Sequence, residues 1–243
     1  YEIICRDWSS DVCSSDLIPL AWLFIPDPMV FYGFVIIAAS PVGAAVVPFT
    51  TMLGGNIRYS VIGVLGIYLA SVFLTPLIIN VFTSGANIDA IHLLGMMLQV
   101  IIVPLVLSQI LILKPFKPYV EKYRGRLIDA GFAMIIFTAV GLNQQIFAGG
   151  YTILLTIAGI LFAAIFVLGH FYKLLVNKLH VEATVATSQT LMLTIKSSAF
   201  TAATALSIFG EKAAVPSAVL SVMVLAYLIF LGLMFRFQPK PAL

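Results

Sequence analysis

Residues 34–55 read FVIIAASPVGAAVVPFTTMLGG, and this stretch decides the fold. It carries no charge and is long enough for a membrane span, which needs roughly 20 mostly apolar residues. Yet Pro41 and Pro48 lack amide protons, so the helix bonds they would make are absent. Ser40, Gly43 and the neighbouring alanines permit unwinding or close helix contact. Backbone freed at membrane depth is tolerated only where protein or a water-filled cavity receives it. The stretch therefore predicts an interrupted spanning helix over 30–53.

A second segment has the same character. Residues 182–210 read EATVATSQTLMLTIKSSAFTAATALSIFG, with Gln189, Thr190, Thr194, Lys196, Ser197, Ser198, Thr201 and Thr204 in one span. Composition agrees with a membrane chain: 61% hydrophobic, 9% charged, mean hydropathy +1.10. Soluble domains carry about 25% charged residues, and so few could not solvate a surface of this size. The fold class expected is an all-α polytopic membrane protein.

The N-terminus departs from that composition. DWSSDVCSSDL (7–17) is what a common short-read sequencing adaptor yields when translated in one frame. Residues 1–17, which hold both cysteines, are accordingly set aside as adaptor-derived, and the protein's own sequence is expected from Ile18. The apolar piece 18–24 reads as the tail of a helix whose start is missing.

Seven spans follow, at about 30–53, 59–82, 91–113, 127–147, 151–175, 183–209 and 213–235. They are separated by short breaks: PDP (26–28), GGN (54–56), TSGAN (83–87), AGG (148–150) and GEK (210–212). Arg58, Lys114, Lys117, Lys122, Arg124, Arg126, Lys173, Lys178, Arg236 and Lys240 fall on one side and only Lys212 on the other. By the positive-inside rule that side, the 236–243 tail included, is cytoplasmic. The positives are spread over several loops without interleaved aromatics, so no nucleic-acid partner is implied; the expected partners are the lipid bilayer and a small anionic solute. Tyr32, Tyr68, Tyr151 and Trp22 read as an interfacial belt.

The two interrupted helices each begin a hairpin, with 59–82 and with 213–235, and the hairpins start on opposite sides. Interrupted segments at corresponding places in two halves are the best sequence pointer to a secondary transporter's binding site. The two interruptions are expected to cross near mid-membrane, with Ser40–Gly43 beside Lys196–Ser198.

Lys196 is the most informative residue. It lies about 20 Å from either end of its span at 1.5 Å per residue, too deep to snorkel. A charge at that depth costs about 2.5–3.5 kcal/mol even on the lenient scale. Asp89, Asp129, Glu182 and Glu211 all fall at span ends. The lysine's counter-charge is thus expected to be an anionic substrate, a helix C-terminal dipole end, or a residue on helices missing from this sequence.

With these residues in view, a resemblance emerges. AASPVGAAVVPFTTMLGGNIRYSVIGVLGIYLASVFLTPLI (38–78), MMLQVIIVPLVLSQIL (96–111) and QTLMLTIKSSAFTAATALSIFGEKAAVPSAVL (189–220) resemble, in order, the crossing and neighbouring helices of the bile acid:sodium symporter family. The resemblance implies ten helices in two inverted five-helix repeats, with 18–82 the remainder of the first and 83–235 the second. It also implies transport of a small organic anion across the plasma (inner) membrane, without enzymatic activity or a resident cofactor.

Against the sodium-coupled pattern, Val46 and Val47 stand at a Ser-Asn pair and Val64 at a Thr, while Ser60 matches a Ser. Thr194 stands at a Glu, and Ser198 with Ala199 at a Gln-Asn pair. Sodium coupling by the usual ligands is therefore doubtful, and Lys196 is the candidate to replace the coupling cation. Substrate or coupling residues are expected at Lys196, Thr194, Ser197, Ser198, Ser40, Gly43 and Ser60. Alternatives are an arsenite-type efflux permease of the same fold, whose characteristic cysteine is absent after residue 17, and a polytopic membrane protein without transport function.

Overall fold

The computed structural model describes residues 9–43, 45–83, 151–179 and 181–236, with scattered positions between 95 and 141. Its helices are α1 (Ser9–Phe24), α2 (Pro28–Ala39), α3 (Val46–Met52), α4 (Ile57–Phe82), α5, α6 (Ala183–Thr194), α7 (Ser198–Phe209) and α8 (Glu211–Arg236). Helix α5 is one span built of Tyr151–Phe162, a π-helical stretch Ala163–Leu168, and Gly169–Lys178. The expected spans 91–113 and 127–147, the breaks at 83–87 and 148–150, and the 237–243 tail lie outside the described elements.

Local chemistry sets the boundaries. Asp27 accepts the Met29 amide at 2.9 Å, with Pro28 as the first helical residue, the usual way to open a helix. Helix α2 stops at Ala39 because Ser40 precedes Pro41 and is extended, at φ −74° and ψ 149°. Gly54 (φ 69°) and Gly210 (φ 86°) supply the left-handed backbone that ends α3 and α7. The 210–212 break is narrower than expected: Glu211 and Lys212 already belong to α8, where an acidic residue suits the helix N-terminus.

The segment set aside at the N-terminus is helical from Ser9. The helix continues without a break past Ile18, and Leu17 at the end of that segment is buried along with Ile18 and Ala21.

Helices α4, α5 and α8 are long and apolar enough to cross a membrane; α2 and α7 are shorter apolar helices. The chain is thus a helical membrane protein, built as read from composition. Both interrupted spans are interrupted in fact, at 40–45 and 195–197. Adding 154 to each residue number carries 57–82 onto 211–236 and Val42 onto Lys196, so the two hairpins recur in register.

Asn56 opens α4 by accepting the Tyr59 amide at 3.1 Å. Asn56→Ala is expected to cost about 1 kcal/mol, the usual loss for an N-cap. A lowered thermal unfolding midpoint in detergent reports it.

Candidate functional site

The interruptions meet. Residues Pro41–Gly43 and Ile195–Ser197 run antiparallel, with Val42 opposite Lys196. The Gly43 amide donates to the Ile195 carbonyl at 2.9 Å, and the Ser197 amide donates to the Pro41 carbonyl at 3.0 Å. In unbroken helices those groups would have bonded within their own segments. Here each break satisfies the other, which is how irregular backbone persists away from water.

Gly43 is required for this approach: a Cβ there would lie 3.0 Å from both Ile195 Cγ2 and the Lys196 carbonyl oxygen. The crossing predicted from Ser40–Gly43 and Lys196–Ser198 is present at hydrogen-bond distance.

The loose ends of α2 are also taken up. The Ser40 amide and hydroxyl both donate to the Ile37 carbonyl, at 3.2 and 2.8 Å. The Thr75 hydroxyl, from α4, donates to the Ala39 carbonyl. Lys196 Nζ donates to the Ser40 carbonyl at 3.4 Å, and the lysine is only 8% exposed. Of the counter-charges considered for Lys196, a helix C-terminal dipole end is thus one it meets. Carbonyl-rich ends of broken helices are where transporters hold cations.

Of the other expected site residues, Thr194 and Ser198 flank the second break, whereas Ser60 lies near the start of α4. Thr194 is buried and bonds back to the Thr190 carbonyl at 2.8 Å. A small cavity is lined by Thr194, Lys196, Ile37 and Leu193, and by Ala164 and Ile165 of the π-helical stretch. Such stretches occur often at functional sites. Gly169 lets α5 close on this region, since a Cβ there would lie 2.4 Å from Thr194 Cγ2.

Ser198 opens α7 and is half-buried. Ser60 is buried and shares a 2.8 Å hydrogen bond with Thr50, tying α3 to α4. Val46 and Val64 are buried and present only methyl groups.

Two residues join the site that the sequence reading placed elsewhere or passed over. Tyr68, read as interfacial, lies near the middle of α4 and reaches the Ser197 side chain through a hydrogen bond. Thr75 is one of several hydroxyls in an apolar helix, beside Ser60 and Ser71, and nothing local marks it.

A polar cluster ties the GGN turn to the start of α6. The Asn56 amide donates to the Thr184 carbonyl at 3.0 Å, and the Ser188 hydroxyl donates to the Asn56 carbonyl at 3.1 Å. Gln189 Nε2 donates to the Tyr59 hydroxyl at 2.8 Å.

No curated protein matches the chain. The family described as Sodium Bile acid symporter family matches residues 18–150, more than half of the sequence and including the first crossing segment and α4. The chain belongs to the sodium bile acid symporter family, a family of membrane transporters rather than enzymes.

Proposed function

We propose that the protein is a secondary transporter of a small organic anion, with the Ser40–Gly43 and Lys196–Ser198 crossing as its substrate and coupling site. In this reading Lys196 supplies the positive charge that a coupling cation would otherwise bring. The observation that carries it is the Lys196 ammonium on the Ser40 carbonyl, at the negative end of α2. Sodium wants several hard oxygen ligands, and Val46 and Val64 give it methyl groups instead. Lys196 lines a small cavity with Thr194, whose hydroxyl proton is taken by the Thr190 carbonyl, so the ammonium is the donor this lining offers a carboxylate. The recurrence at 154 residues supports two repeats of inverted topology, with 18–82 in the first and 83–235 in the second. The Lys and Arg distribution supports a cytoplasmic C-terminus, and the family resemblance a place in the plasma (inner) membrane.

The test is electrogenic or isotopic flux in proteoliposomes of the full-length protein, with acetate, 2-oxopropanoate, benzoate and cholate as probes. Flux of at least one probe is expected to persist, within about twofold, when choline replaces sodium. No flux of any probe, or flux lost without sodium, overturns the reading.

A further inference from the structure

The interruption after α2 leaves two adjacent carbonyls, those of Ala39 and Ser40, at the negative end of the helix. In an unbroken helix the Ala39 carbonyl would accept from the Gly43 amide, but that amide donates to Ile195. Thr75 fills the vacancy from 36 residues away, and its side chain is fully buried. The Ser40 carbonyl, next along the chain, receives the Lys196 ammonium. Two neighbouring acceptors thus have two donors of different charge.

We propose that Thr75 is a positioning residue for Lys196, an inference that rests on the reading of Lys196 as the charge that meets the substrate. A lysine ammonium has three donors and no fixed direction. It settles where acceptors are unmet, because a buried carbonyl without a partner is costly. By occupying the Ala39 carbonyl, Thr75 leaves the neighbouring Ser40 carbonyl to the ammonium. The ammonium is thereby held beside Thr194 and its cavity. Without that hydroxyl the ammonium turns toward Ala39, a displacement of up to about 3.8 Å, the spacing of successive residues. The anion then meets its charge out of place.

The experiment is concentration-dependent flux of the best-transported probe by the full-length protein and its Thr75 variants. Thr75→Val, which keeps shape and loses the hydroxyl, is expected to raise KM about tenfold with maximal flux within about twofold of wild type. Thr75→Ser is expected to restore KM to within about twofold. Thr75→Cys, with a weak donor of similar size, should fall between them and serves if the valine variant does not fold. A Thr75 that merely closes a broken helix would lower maximal flux through loss of folded protein and leave KM alone. That pattern, an unchanged KM, or failure of Thr75→Ser to restore it overturns the proposal. If Lys196→Ala leaves flux intact, the reading of the lysine fails first, whatever the Thr75 variants do.

Discussion

Lys196→Ala is expected to lower anion flux by at least about 30-fold while leaving the protein folded. Truncating one partner of a buried, hydrogen-bonded charge pair costs about 2–5 kcal/mol. At 1.36 kcal/mol per tenfold change, that range is about 30-fold to several thousand-fold in rate. Stability should move much less. The substitution removes a charge whose insertion costs about 2.5–3.5 kcal/mol, and this offsets the loss of a donor to the Ser40 carbonyl, worth about 1–3 kcal/mol. A thermal midpoint near the wild-type value, measured beside the lost flux, separates a functional lysine from one that only holds the crossing together. Lys196→Arg keeps the charge but replaces a compact ammonium by a planar fork. Partial flux is expected there. Wild-type flux in the alanine variant would return Lys196 to a structural role.

The parts of this site legible in the sequence are those that break a local rule. Pro41 cannot sit silently in a spanning helix, and a lysine at mid-span must find a partner. Those two residues were enough to anticipate that the breaks cross, and the Val42–Lys196 pairing lies where they pointed. The parts that could not be read obey every local rule. Thr75 is a tolerable residue in an apolar helix, and its partner Ala39 is 36 residues distant. Tyr68 is an ordinary belt residue by type, and although the span expected at 59–82 already puts it near mid-depth, nothing local points to Ser197 as its neighbour. The π-helical stretch Ala163–Leu168 has an ordinary apolar sequence, AAIFVL. Its wider turn is a product of packing and not of propensity. Gly33 carries no local mark either, since glycine is common in membrane helices.

Gly33 carries the largest stability effect expected of any single methyl group in the described structure. A Cβ at this position would stand 2.3 Å from the Ala213 carbonyl oxygen and 2.9 Å from Pro216 Cγ. One obstacle is backbone and the other a ring closed on backbone, so neither can swing aside. Helices α2 and α8 would have to part by about an ångström to restore van der Waals distance. Separation there also loosens Ile36 and Ala39 from Ala213 and Ala214, which form a buried cluster across the same contact. Overpacking a core costs typically 1–3 kcal/mol, and with two rigid obstacles Gly33→Ala belongs at the upper end, about 3 kcal/mol. At 2–4 °C per kcal/mol for a chain of this size, the thermal midpoint in detergent should fall by about 6–12 °C. Gly169→Ala is expected to cost less, because its 2.4 Å contact is with the Thr194 methyl group, at the end of a side chain. Gly66→Ala, with nothing within 4 Å, should leave the midpoint unchanged or raise it by a few degrees through helix propensity. The consequence reaches the site, because α2 ends in the carbonyls that hold Thr75 and Lys196. Equal midpoints for Gly33→Ala and Gly66→Ala would mean that α2 and α8 do not pack at this distance, and the placement of the Ser40 carbonyl opposite Lys196 would fall with it.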